Sequence, residues 1–398
     1  MCQSRIQLFA PLLGSAFFLM LGYECIRSSS SSLFLEKYSA SLLPNVLLFI
    51  PLLLLTVLYI YNWLLSRVGP RKTLVITTVV ASGFIFITIV LISMGLDDLR
   101  LFLVLLSEVY IMILVEQYWA FVDSTVDVSF AKKFNGLFTG IGTLGSILGG
   151  LLAGKLAATL GTTTLVYLSA ASLLPVSLLG DLAYRASPLK RVEVHRSEPL
   201  SFGWAQLREI PILKMLLAIV LSTQVLATVL TLSFQNMLQT HYPGLDSRTA
   251  YSGNFYAALN AVCLLLQFLG VPLALRYFRP ILVQAFIPMI NLGFALWVLF
   301  HPTLLSVGMA LLVFKVMDYS LFRATKEILY IPLSFEARFR SKGIIDIFGY
   351  RFSKGFTSLL LLLLRPWIVL GTTVYSSLGM VALGVWIGCL FGFSGRRK

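Results

Sequence analysis

Charge is scarce in this sequence, and acidic charge scarcest: of 398 residues only 12% are charged, with 17 Asp and Glu against 31 Lys and Arg. Soluble domains carry about 25% charged residues, so a water-facing globule is excluded. Histidine occurs only at His195, His241 and His301, and cysteine only at Cys2, Cys25, Cys263 and Cys389, with no paired spacing. Disulfide frameworks and zinc sites are unsupported, and no metal or other cofactor is expected. The chain also lacks a Walker-type glycine loop, HExxH and GxSxG. That argues against an ATP-driven pump and against a membrane-embedded enzyme, which would need a convergent catalytic set.

What the chain does have is apolar sequence. It is 58% hydrophobic, with a mean hydropathy of +0.88. Stretches of about 20 apolar residues recur along its whole length, the span an α-helix needs to cross the hydrocarbon core. Runs such as LLPNVLLFIPLLLLTVLYIYNWLL are continuously apolar instead of alternating, which favours helices over a closed barrel. The fold class expected is therefore all-α, a polytopic membrane protein. About twelve spans are predicted, near residues 7–26, 42–65, 73–95, 101–122, 136–159, 163–184, 212–237, 251–275, 281–300, 303–322, 344–365 and 368–393.

Basic residues fall in alternate connections. One set of loops holds Arg67, Arg71 and Lys72, then Lys132 and Lys133, then Arg185 to Arg208, Arg276 and Arg279, Arg338 to Lys342, and Arg396 to Lys398; the other set is sparse. By the positive-inside rule both termini are expected in the cytoplasm. The net charge of +14 is then explained by topology and contact with anionic lipid, and nucleic acid is not an expected partner. The longest polar stretch, residues 185–211, is predicted to be a cytoplasmic linker between two six-helix bundles, 1–184 and 212–398. This 6+6 layout resembles the major facilitator superfamily. The loop NWLLSRVGPRK is similar to that superfamily's basic loop at Arg67, Gly69, Arg71 and Lys72, with Asn62 and Ser66 as departures. An ordinary basic turn explains the same residues.

The resemblance implies that spans one, four, seven and ten line a polar path. Span one carries Glu24 and Arg27; span four carries Glu108, Glu116, Gln117 and Trp119; span seven carries Gln224, Thr228, Thr231 and Gln235 in one stripe. Span ten is the richest, with Lys315, Asp318, Arg323, Lys326 and Glu327, and regular spacing puts Lys315, Phe322 and Lys326 on one face. Charges at membrane depth are expensive and point to a solute or ion pathway. The alternatives are mutual neutralisation of Lys315 with Asp318 or Arg323 with Glu327, helix–helix hydrogen bonding by Gln and Thr, and snorkelling of Lys326 to the headgroups. Span eight places Tyr256, Asn260 and Gln267 on one face. Span five carries Gly136, Gly140, Gly145, Gly149, Gly150 and Gly154, a ridge suited either to a moving interface or to static close packing.

The segment YSLFRATKEILYIPL, followed by KGIIDIFGYRFSK, resembles the signature of the ATP/ADP translocase family of nucleotide transporters. Tyr319 to Phe322, Lys326, Glu327 and Tyr330 to Leu333 carry the match, with Lys342, Ile345, Asp346, Arg351 and Lys354 in register after it and Ala131 to Phe134 similar in the first half. The resemblance implies passage of a phosphorylated solute by exchange, without hydrolysis, in a bacterial inner membrane. The candidate substrate-binding residues are Lys326, Glu327, Lys315, Arg351, Lys354, Trp119, Asn260 and Gln267, where cations meet phosphate and aromatic rings can stack a base. Glu24, Glu108, Asp318 and Asp346 are candidate coupling or gating groups. The chain departs from the family where Arg27 is followed by five serines, where Asp318 replaces a basic residue, and where Arg323 and Ala324 replace Asp-Pro. One cation fewer and one acid more point to a solute with fewer phosphates or a different metabolite. A monomer is expected. The rival readings are a facilitator of another small metabolite and a non-transporting scaffold or receptor.

Overall fold

Uninterrupted apolar sequence can satisfy its backbone in lipid only by closing its own hydrogen bonds, and a helix does so locally. The computed structural model describes residues 2–125, 128–187, 209–331, 333 and 345–394, and all regular structure among them is helical. Nine segments of the described residues are long and apolar enough to cross a membrane, among them Leu8–Lys37, Gly136–Leu160, Pro211–His241, Leu304–Tyr330 and Thr372–Gly392. One of these, Ala40–Ser93, is 54 residues long, which at 1.5 Å per residue is enough for two crossings. It breaks between the second and third predicted spans. There Gly69 adopts φ 78° and ψ 168°, and Pro70 lacks the N–H needed to carry the ladder on. The eleventh predicted span appears as a π-helical stretch, Ile345–Phe352, followed by a 12-residue helix, Ser353–Leu364. Most of the predicted linker lies outside the described residues.

Large apolar side chains such as Tyr59, Phe84, Leu178, Phe300 and Val369 stand on the surface. Together with the spans, they make this a multi-pass membrane protein whose exterior is solvated by lipid tails.

The chain packs as two compact units. The first comprises Met1–Tyr38, Leu52–Arg196 and Tyr242–Ala261. Its helices are α1 (Cys2–Lys37), nearly all of α2 (Ile50–Ser93), α3 (Leu99–Thr125), α4 (Val128–Leu160), α5 (Thr162–Ala186) and most of α7 (Leu245–Leu265). Helix α1 is central and packs on α3, α4 and α5, with Ile26, Ile85, Leu103, Val166 and Leu173 in one core cluster. The glycine ridge explains how closely they approach. A Cβ on Gly145 or Gly149 would strike the α1 backbone at Phe17 or Leu21, and one on Gly150 would lie 2.8 Å from the Gly253 carbonyl of α7. The ridge serves close packing inside the first unit.

The serine run is also structural. Ser28, Ser29, Ser30 and Ser32 are buried in α1. Ser29 and Ser32 donate to the carbonyls of Cys25 and Ser28, and Ser30 donates to Ser107 of α3 at 3.2 Å. The hydroxyls of Ser29, Ser30 and Ser32 return to the helix or a neighbour and so are buried with a partner.

The second unit comprises Ser39–Pro51, Ser197–His241 and Val262–Lys398. Helix α6 (Pro211–His241) packs against α9 (Leu304–Met317), α11 (Ser353–Leu364) and α12 (Thr372–Ser394), while α8 (Pro280–Phe300) covers α9 and α12. Two π-helical turns interrupt its helices, Leu266–Gly270 and Asp318–Phe322; the second joins α9 to α10 (Arg323–Tyr330).

Candidate functional site

The charged stretch of the tenth predicted span sits on this second π-turn. A π-turn holds more residues than an α-turn, so side chains beyond it are rotated from regular spacing. The face expected for Lys315, Phe322 and Lys326 is accordingly divided. Phe322 is buried edge-on against Trp386, with ring centroids 5.4 Å apart. Lys326 is buried beside it, 4% exposed, with Nζ 4.8 Å from the centre of the Tyr350 ring. Lys315 instead keeps company with Tyr319, its Nζ 5.3 Å from the ring centre, and the Arg323 guanidinium lies 5.0 Å from that same ring. Tyr319 thus contacts one cation four residues before it and another four residues after.

Neither alternative neutralisation forms an ion pair. Among the described residues, Lys315 makes no ion pair with Asp318 within 4.0 Å, and Arg323 makes none with Glu327. Asp318 is 3% exposed, and its Oδ1 has no hydrogen-bond partner among the described residues. Glu327 is exposed. The backbone beneath is tied down from α8, where the Gln284 amide donates to Thr325 Oγ1 at 2.6 Å and to the Phe322 carbonyl at 3.3 Å. Lys354 is half-buried on α11 and Gln267 half-buried on the first π-turn. The side chains of Asp346 and Arg351 lie outside the described residues. In the stripe on α6, Thr228 and Thr231 donate to their own helix, at the carbonyls of Gln224 and Ala227, so these hydroxyls do not bridge helices.

A second polar cluster lies within the first unit. Glu24 of α1 is 1% exposed. Its Oε1 accepts from the Asn260 amide of α7 at 3.0 Å and from Arg27 at 3.5 Å. The Arg27 guanidinium lies 3.7 Å from the centre of the Tyr256 ring. Sequence spacing had put Tyr256 and Asn260 on one face, and the structure brings both onto the Glu24–Arg27 pair. Glu108 is half-buried on α3, and Trp119 is half-buried edge-on to Tyr118, with centroids 5.6 Å apart.

Loop charges form a separate set. Asp181 binds Arg71 at 2.6 Å and Arg185 at 2.7 Å. Asp98 accepts from the Tyr38 hydroxyl and from Lys37, and these bonds hold its carboxyl below the usual range and push the Tyr38 phenol up. The sequence groups Arg323 with these charges but leaves it out of the substrate-binding candidates, and it does not single out Tyr319 and Tyr350 as the rings the cations meet. The four-residue spacing of Lys315, Tyr319 and Arg323 was the available signal. Arg248, one of the few basic residues in the sparse set of loops, is buried, 2% exposed.

Residues 203–393 match the family model described as TLC ATP/ADP transporter. The matched stretch lies in the second half of the chain. The match includes the π-turn and every cation of its cluster. A stretch of 163 residues, 37% of this chain, is 23% identical to ADP,ATP carrier protein 3 of Rickettsia bellii (strain RML369-C) and spans 32% of that relative. Solved structures extend the likeness over the whole length. A point mutant of the nucleoside transporter NupG aligns with a TM-score of 0.67 at 13% identity, covering 99% of this chain and 100% of its own. A bacterial homologue of the iron transporter ferroportin, in an inward-facing state, aligns with a TM-score of 0.71 at 17% identity over 98% of both chains. At these identities the likeness is one of fold. The stretch that matches the TLC ATP/ADP transporter model thus lies in a chain whose whole length shares the fold of these solved structures.

Proposed function

We propose that this protein is a secondary transporter of a nucleotide or related phosphorylated metabolite, working by alternating access in a bacterial inner membrane. One observation carries the reading: the stretch matching the TLC ATP/ADP transporter model includes a membrane-span cluster in which Lys315 and Arg323 flank Tyr319 without an ion-pair partner among the described residues, in the same span as buried Lys326. A cation in the middle of a span costs about 2.5–3.5 kcal/mol, which an anionic solute would offset. Guanidinium and ammonium groups in a low-dielectric path bind phosphate oxygens through short charge-assisted hydrogen bonds. Tyr319 and Tyr350 add ring faces on which a base can stack.

In this reading Lys326, Lys315 and Arg323 hold the anionic group, with Arg351 and Lys354 as further phosphate partners. Glu24, with Glu108 and Asp346, belongs to coupling. Residues 1–184 and 212–398 are the two bundles, the protein acts as a monomer, and the basic loops place both termini in the cytoplasm. Driving force comes from exchange or an ion gradient. The test is uptake of radiolabelled AMP, ADP and ATP into proteoliposomes of the purified protein, with and without internal nucleotide. Saturable uptake stimulated from the trans side is the expected result. Its absence for all three, from folded and inserted protein, overturns the reading.

A further inference from the structure

The cation cluster contains a carboxylate that phosphate binding does not need. Asp318 lies on the π-turn, 3% exposed, three residues after Lys315 and in the same span as Arg323 and buried Lys326. Its Oδ1 accepts no hydrogen bond among the described residues, and no ion pair within 4.0 Å ties it to Lys315 or Arg323. A carboxylate that served only to neutralise a neighbour would be expected in contact with it. This one is held apart, shielded from solvent, where it lowers the positive potential of all three cations at once.

We infer that Asp318 sets the charge of the solute, limiting the site to a phosphomonoester, such as a nucleoside monophosphate, over nucleotides with longer phosphate chains. This rests on the proposed nucleotide reading and narrows it. A terminal phosphomonoester brings about −1.5 to −2 charge at pH 7, and each additional phosphoryl group brings more. A carboxylate fixed among the binding cations opposes each added negative charge, so its effect grows with phosphate count. Removing it should therefore improve triphosphate binding most and monophosphate binding least. The π-turn makes the placement possible, because regular α-helical spacing would not divide Lys315 and Arg323 from Lys326 around the acid.

The experiment is competition by unlabelled AMP, ADP and ATP against labelled nucleotide uptake in proteoliposomes, for wild type, Asp318→Asn, Asp318→Glu and Lys315→Gln. In wild type AMP should compete best and ATP worst. Asp318→Asn should raise the affinity for ATP relative to AMP by about tenfold, the effect of one nearby unit charge. Asp318→Glu keeps the charge and should keep the wild-type order. Lys315→Gln removes a cation and should move the ratio the opposite way, which keeps the test decisive if Asp318→Asn does not fold. A wild type that prefers ATP, or transporting variants whose ratio does not move, overturns the inference while leaving nucleotide transport standing. No competition by any of the three overturns the nucleotide reading and this inference with it.

Discussion

Arg248 offers a quantitative test of how the first unit is held together. Its guanidinium donates to three backbone carbonyls, Tyr242 at 2.9 Å, Pro243 at 2.7 Å and Ser32 at 3.1 Å, and so fastens the turn before α7 to the end of α1. A hydrogen bond to a charged group contributes about 1.5–3 kcal/mol, but the three share one side chain and two of the carbonyls are only partly buried, so they do not add. We expect Arg248→Ala to cost about 2–4 kcal/mol, including the lost packing of the stem. Arg248→Lys should recover less than half of this, because one ammonium cannot reproduce a planar fork aimed at three acceptors. Cys25 and Cys263 are buried, so a thiol-reactive fluorophore reports unfolding during heating in detergent. A loss of this size should lower the midpoint by about 2–5 °C. An alanine variant within a degree of wild type, or a lysine variant equal to it, would refute the argument.

Gly150→Ala should destabilise by about 1–3 kcal/mol, since its Cβ would meet the Gly253 carbonyl at 2.8 Å and the Ala257 Cβ at 2.9 Å; Gly83→Ala, with nothing within 4 Å, should be neutral or slightly stabilising in the same melting assay. Lys326→Ala should abolish nucleotide uptake with insertion intact, as shown by transport set beside membrane yield; an active, normally inserted variant counts against the site. Asp98 has a folded-state pKa below its unfolded value, so its stabilising effect is present above the ordinary carboxylate pKa of about 3.9 and is lost as pH falls through the lower folded value. The melting difference between wild type and Asp98→Asn should therefore shrink on acidification from pH 5 to pH 3 and stay level from pH 5 to pH 8.

The spans were legible because each is written in continuous apolar residues, and the break at Gly69–Pro70 because both residues act through the backbone alone. Lys326 was legible through the run it shares with a known family. The π-turn at Asp318–Phe322 was not, since no residue in DYSLF marks an extra residue per turn, and counting at 3.6 therefore put Lys315 on the wrong neighbours. The serine run carries two messages of which sequence expressed one: it departs from a charged motif, and in the structure the Ser29 and Ser32 hydroxyls back-bond into α1 while Ser30 reaches Ser107. Asn260 and Tyr256 could be placed on one face, but that they meet Glu24 and Arg27 depends on a pairing of α1 with α7 that spacing within one helix cannot express.

The two polar clusters differ in how their charge is balanced, and this assigns them different work. In the second unit Lys315 and Arg323 have no ion-pair partner among the described residues, which suits a site that must accept an anion. In the first unit the charge of Glu24 is balanced by Arg27, with Asn260 also donating to Oε1, while Oε2 has no hydrogen-bond partner among the described residues; Arg27 contacts Glu24 and the Tyr256 ring. A closed pair of this kind needs no ligand to be stable, but it is vulnerable to the loss of one member. Arg27→Gln alone leaves a buried carboxylate with a neutral partner and should cost about 3 kcal/mol, whereas Arg27→Gln combined with Glu24→Gln removes both charges and should restore most of it. The melting assay distinguishes the cases. If the double variant is less stable than Arg27→Gln by itself, Glu24 is held by something other than its cation, and a closed pair is the wrong description of this cluster.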